Sequence, residues 1–193
     1  MNIILASTSP YRRRLLERLQ LPFRCVSPET DETPLPDEAP AALAVRLARA
    51  KAESIARLQP GALIIGSDQV ASIEGSIMGK PGNFNSASAQ LRSSSGREVV
   101  FYTAIALIAP NRDQERIHVE RFCVRFRALS DSQITNYLHR EQPYDCAGSF
   151  KVEGLGIALF ESLIGDDPTS LVGLPLIKLT ALLGELGVDI LHA

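Results

Sequence analysis

The chain has 193 residues and a mass of 21.0 kDa, enough to bury a core of its own as one domain over 1–193. Hydrophobic residues at 45% and charged residues at 22% suit a soluble globular protein, and no run approaches the roughly 18 apolar residues that a membrane span needs. A net charge of -2 and a pI near 5.9 exclude the electrostatic footprint of a long nucleic-acid binder, so any basic patch is local and serves a small anion.

Asn2 to Ala6 reads as a first strand, and Ser7-Thr8-Ser9-Pro10 opens a helix with Ser9 as N-cap and Pro10 at its first position. The spacing of Leu15, Leu16 and Leu19 carries that helix to about Gln20. Arg12, Arg13 and Arg14 then lie in its first turn, where cations oppose the helix dipole. Serine hydroxyls, free amides and guanidinium forks together suit a docked phosphate, the alternative being a solvated basic helix end. Phe23 to Val26 is a second strand. It runs into Ser27 to Pro34, an acidic loop holding Glu29, Asp31 and Glu32, which either takes a hard cation through oxygen ligands or is simply solvated.

Pro36-Asp37-Glu38 predicts the start of a long helix reaching Leu58. At about 100° per residue, Leu43, Leu47, Ile55 and Leu58 form one stripe. Lys51 falls inside it, either snorkelling to the rim or aimed into an acidic or phosphate-filled cleft. Ala62 to Ile65 predicts a short buried strand with Asp68 just beyond its carboxyl end, the usual place for ligands in open α/β sheets. A carboxylate there serves as general base or metal ligand, or only caps a turn.

Ala71 to Ser76 reads as an extended segment and turn, and Ile77 to Gly82 as a loop. Gly75 to Lys80 is not a Walker A loop: its glycines are three residues apart, and Pro81 stands where a magnesium-binding hydroxyl belongs. Asn85 to Leu91 is a short helix, and Glu98 to Ala109 a long strand that turns at Pro110 to Asp113 into a partner strand. Ser130 and Gln133 form a capping box. Ile157 to Ile164 predicts a strand, Asp166-Asp167-Pro168-Thr169 an acidic turn, and Pro175 the start of a last helix ended by Gly187. Cys25, Cys123 and Cys146 lack metal-ligand spacing and are odd in number, which fits a reducing cytoplasm, as does the lack of a visible export signal.

An Arg/Ser helix start, an acidic loop, an inward Lys, an Asp and the loop residue Lys80 form the mixture that polyphosphate chemistry needs. Cations neutralise phosphate oxygens while carboxylates hold a divalent metal and activate water. Ser7-Thr8-Ser9-Pro10-Tyr11-Arg12-Arg13, Asp31-Glu32-Thr33, Ala50-Lys51-Ala52, Gly66-Ser67-Asp68-Gln69, Gly79-Lys80-Pro81, Ala147-Gly148-Ser149 and Val172-Gly173-Leu174-Pro175 resemble, in order, the motifs of the Maf family of nucleoside triphosphate pyrophosphatases. The resemblance implies a Maf/inosine-triphosphatase-like α/β fold, with two lobes around a central mixed sheet and an active-site cleft between them. It further implies a divalent cation (Mg2+ or Mn2+), a nucleotide substrate cleaved to its monophosphate and pyrophosphate, and dimers in many members.

Carried over by position, the resemblance makes Asp68 the proton acceptor and Asp31 the acidic metal-site position with Glu32 beside it, so that Asp31, Glu32 and Asp68 are the expected metal-site acids. It places Ser7, Ser9, Arg12, Arg13, Lys51 and Lys80 around the triphosphate, and Tyr11, Gln69 and Glu153 at the positions that separate substrates. Their identities resemble the branch of the family that cleaves 7-methyl-GTP, although Tyr11 stands where Trp is usual. A methylated guanine is cationic, so an aromatic face and a carboxylate recognise it by stacking and by accepting from its ring donors. The rival readings are a dTTP/UTP or broad non-standard nucleotide pyrophosphatase and a nucleotide-binding regulator of cell division.

Overall fold

The structure, a computed structural model, describes residues 2–110 and 114–192. In chain order its main elements are β1 (Ile3–Ala6), α1 (Pro10–Glu17), β2 (Phe23–Val26), α2 (Pro40–Leu58), β3 (Leu63–Ile73), β4 (Ser76–Met78), α3 (Phe84–Ser94), β5 (Glu98–Ile108), β6 (Glu115–Phe126), α4 (Asp131–Glu141), β7 (Phe160–Ile164) and α5 (Leu176–Glu185). The strands form a mixed sheet in the order β2-β1-β3-β5-β6-β7, with β4 paired to β3. The α/β class expected from the sequence is what the chain adopts. The residues gather into two compact units, Met1–Gln69, Thr103–Glu120 and Asp167–Ala193 in the first, Val70–Tyr102 and Arg121–Asp166 in the second.

In the first unit β1 runs parallel to both β2 and the start of β3, with Ile3 opposite Phe23 and Leu63, and Ala6 opposite Val26 and Gly66. Parallel strands are covered on both faces, and the apolar runs Ile3-Ile4-Leu5-Ala6 and Leu63-Ile64-Ile65 are buried throughout. Leu15 and Leu16 of α1 and Leu176, Leu179, Leu182 and Leu183 of α5 close one core cluster with Ile3, Leu5, Leu63 and Ile65. In the second unit β3 turns back through Glu74 and Gly75, both at positive φ, into antiparallel β4, the geometry of a two-residue hairpin. Phe126, Phe150 and Phe160 meet edge-to-face there, with ring centroids 4.8 to 5.8 Å apart.

Several boundaries move from their sequence-based positions. Asp68 is not at the end of a short strand but is the sixth of the eleven residues of β3, which continues beyond the four residues paired with β1. Helix α2 starts at Pro40 rather than Pro36: Asp37 sits at φ 57, outside the helical region, and Ala39 is held extended by the proline after it. Leu58, read as part of its stripe, is exposed at the last turn, while Ala44, Ala48, Ala52 and Ala56 fill the buried face. Helix α1 ends at Glu17. Ile77 and Met78 belong to β4 rather than a loop, and β7 begins at Phe160 because 155–159 wind into a 3-10 turn. The turn at 111–113 lies outside the described residues.

Gly66 sets how closely β3 and α2 approach. A Cβ there would land on the carbonyl oxygen of Ala48 and stand 2.8 Å from the amide of Ala52. Gly66→Ala is therefore expected to cost about 1–3 kcal/mol, the usual range for overpacking, read as a lower urea midpoint with unchanged slope.

Candidate active site

The turn after β1 satisfies itself before it can serve a ligand. The Ser7 hydroxyl accepts from the Ser9 amide at 3.1 Å, and the Ser9 hydroxyl caps α1 by accepting from the Arg12 amide at 3.3 Å. Pro10 occupies the first helical position, as its fixed φ favours. Arg12 and Arg13 diverge. The Arg12 Nε donates to the carbonyl oxygen of Gly173 at 2.9 Å, whereas Arg13 is exposed and pairs with Glu17 at 3.0 Å. Burial lowers the Arg12 guanidinium from its ordinary value, with Asp68 and Glu32 pulling in the opposite direction.

Lys51 is the centre of the cluster. The close approach at Gly66 brings its stem, from the buried face of α2, to β3. There its Nζ lies 2.6 Å from Asp68 Oδ1 and 2.5 Å from Glu32 Oε1. Lys51 and Asp68 are each 7% exposed, while the Glu32 side chain stays more than half exposed on the irregular segment before α2. A buried ammonium between two carboxylates is compensated, which answers the alternatives left open for Lys51: it points inward, at acids.

Asp31, one residue from Glu32, turns elsewhere. It is exposed and accepts from the Thr33 amide at 2.9 Å, and the Thr33 side chain first, then that amide, holds its carboxyl below the usual range. Arg46 ties the same segment to α2 by gripping Glu38 at 2.6 and 2.8 Å and the Thr33 carbonyl at 3.0 Å. That fork and the Leu35 amide hold Glu38 at about 2, below an ordinary 4.5. A carboxylate depressed on folding adds stability that is present above pH 4.5 and lost as pH falls toward 2. The difference in urea midpoint between the protein and Glu38→Gln is therefore expected to shrink across that interval.

Ser67, Asp68 and Gln69 alternate across β3, so Asp68 leaves on the side of α2 and its neighbours on the other. Ser67 Oγ donates to Gly173 O at 2.9 Å. The Gln69 amide nitrogen donates to Ser170 O at 2.8 Å and Leu171 O at 3.2 Å, and lies 3.0 Å from Thr103 Oγ1. Gly173 O and Thr103 escaped the sequence reading. A backbone carbonyl has no side-chain signature, and the only hint was the Gly173-Leu174-Pro175 motif. Lys80 and Glu153 are exposed residues of the second unit, Lys80 between Gly79 and Pro81 and Glu153 in the turn after Lys151. Tyr11, in the first turn of α1, is partly buried.

Asp68 and Glu32 present only carboxylate oxygens, the donor chemistry of hard divalent cations. Among the described residues no group of three or more His, Cys, Asp or Glu is placed to hold an ion. Two carboxylates fit the way magnesium is commonly bound, with water and substrate phosphates completing the shell.

A mixed sheet flanked by helices, with a Ser/Arg helix start and a buried Lys–Asp pair, defines an α/β protein with a charged site. Residues 2–186 match the family described as Maf-like protein, and the chain belongs to that family. It is 53% identical to the 7-methyl-GTP pyrophosphatase of Colwellia psychrerythraea over 98% of this chain and 94% of that protein. It is 54% identical to the 7-methyl-GTP pyrophosphatase of Bordetella avium, over 99% and 96% of the two. Among solved structures, a HAM1 protein from Coxiella burnetii superposes with a TM-score of 0.53 at 17% identity, covering 96% of this chain and 99% of that one, a likeness of fold.

Proposed function

We propose that the protein hydrolyses 7-methyl-GTP to 7-methyl-GMP and diphosphate by attack of water on the α-phosphorus. The observation that carries this reading is the buried Lys51 between Asp68 and Glu32 in a chain whose close relatives bear that activity in their names. Asp68 takes the proton of the attacking water as the new P–O bond forms, and the bond to the β-phosphate oxygen breaks with diphosphate leaving. Arg12 and Lys51 neutralise the oxygens of the triphosphate, with the Ser7 and Ser9 turn at their side. Asp68 and Glu32 would hold the divalent cation, Mg2+ or Mn2+, with Asp31 next in the chain. That ion supplies further charge neutralisation on the phosphates.

Arg13, paired on the surface with Glu17, and Lys80, on its loop, complete the phosphate-binding residues of this reading. Tyr11 and Glu153 suit a cationic base, the ring by stacking and the carboxylate by accepting from its donors. Gln69 is the third base-recognition residue of this reading and has its carbonyl oxygen to offer, its nitrogen being spent on 170–171. Among the described residues no helix is long and apolar enough to cross a membrane, and the reading is completed by a cytoplasmic homodimer.

Pyrophosphate release from 7-methyl-GTP, GTP, dTTP, UTP, CTP and ITP tests the assignment. The expected result is preference for 7-methyl-GTP, selectively weakened by Glu153→Gln. Preference for dTTP or UTP keeps the chemistry and overturns the base reading, while no release from any nucleotide leaves a nucleotide-binding regulator.

A further inference from the structure

Asp167, in what reads from sequence as an acidic turn, is buried to 2% exposure. A carboxylate so placed is tolerated only when donors replace water. It has three. Oδ1 accepts from the Thr169 amide at 2.9 Å and the Thr169 hydroxyl at 2.6 Å, and Oδ2 from the Ile177 amide at 2.7 Å. The Thr169 hydroxyl has one proton and a second neighbour, Leu174 O at 2.9 Å; the shorter contact, to the charged acceptor, claims it. The hydroxyl oxygen in turn accepts from the Leu176 amide at 2.8 Å.

Leu176 and Ile177 begin α5, whose N-cap, Pro175, offers no side-chain acceptor. Asp167 and Thr169 thus cap this helix from across the loop and place a negative charge at the positive end of its dipole. Between these two attachments the chain winds through the 3-10 turn Pro168–Val172 and reverses at Gly173, where φ is 118 and a side chain would be strained. The reversal points one carbonyl oxygen at two side-chain donors, Arg12 Nε and Ser67 Oγ, both at 2.9 Å. That contact consumes a single donor of the Arg12 fork and fixes the plane of the rest.

We propose that Asp167 is a positioning residue for Arg12. It locks the loop so that the Gly173 carbonyl orients the Arg12 guanidinium toward the phosphates, and it does not itself touch substrate. The inference rests on the pyrophosphatase reading and is tested without turnover, by calorimetric titration of Mg2+–pyrophosphate into the protein, Arg12→Gln, Asp167→Asn and the double variant. Asn in place of Asp167 keeps the size but sets an amide against the N–H groups of the cap.

Each single substitution is expected to weaken binding about tenfold, the scale of one charge-assisted hydrogen bond, and the double variant to be no weaker than Arg12→Gln. A purely structural Asp167 predicts lower thermal stability with unchanged affinity of the folded fraction, or losses that multiply in the double variant. Either overturns the proposal. Should Asp167→Asn not fold, Thr169→Val removes one donor and leaves the charge; affinity equal to that of the unmodified protein would overturn the proposal equally. Absence of pyrophosphate binding by the unmodified protein would instead overturn the underlying reading, and this proposal with it.

Discussion

Asp68→Asn is expected to lower kcat/KM for 7-methyl-GTP by about 10²–10⁴-fold, the usual contribution of a positioned general base. The amide has nearly the shape of the carboxylate but no capacity to take a proton. Lys51 keeps Glu32 at 2.5 Å, so the buried ammonium is not orphaned and the variant should fold. Its circular dichroism should match that of the unmodified protein and its thermal midpoint should change little. Turnover within threefold of the original would remove Asp68 from the role of base.

Lys51→Met reverses that logic. Asp68 is 7% exposed and pairs with the Lys51 ammonium at 2.6 Å. Breaking a buried pair from one side leaves an uncompensated charge at a cost of about 3–5 kcal/mol. Domains of this size are stable by only about 5–15 kcal/mol, so the urea midpoint should fall by about a fifth of its value or more. Replacing both partners, Lys51→Met with Asp68→Leu, should recover most of that stability while activity stays lost, because apolar groups of similar volume replace buried pairs at little cost. A midpoint for Lys51→Met within experimental error of the original would show that water reaches the pair.

What the sequence disclosed was mostly local chemistry. The Ser9 cap with Pro10, and the capping box of Ser130 and Gln133, form as read because both ends of each interaction lie within one turn. Lys51 was found by rotation around a helix, and its burial follows that angle. The length of β3 was hidden for the opposite reason. Gly66, Ser67 and Asp68 have turn-like propensities, and strand pairing overrides them through partners far along the chain. Asp37 at positive φ delayed the start of α2 in a way that an acidic N-terminal signal does not reveal. Asp167 looked like its exposed neighbour Asp166, since burial by the donors of a remote helix leaves no mark on four residues.

The placement of Asp68 in mid-strand bears on motion. Strand β3 has hydrogen-bonded neighbours on both sides, and α2 packs against it without room for a methyl group at Gly66. Amides of such interior segments exchange with solvent only through opening on the scale of the whole domain. Glu32 rides instead on 27–35, which has no regular secondary structure. Deuterium should therefore enter 27–35 well before it reaches the amides of Ile65 to Asp68, with the bonded amides of Thr33 and Leu35 the slowest of that segment. The three charges that meet at Lys51 thus ride on two kinetic classes of backbone: an acid and a lysine on elements that open only with the fold, and a second acid on a segment held without a strand or helix ladder.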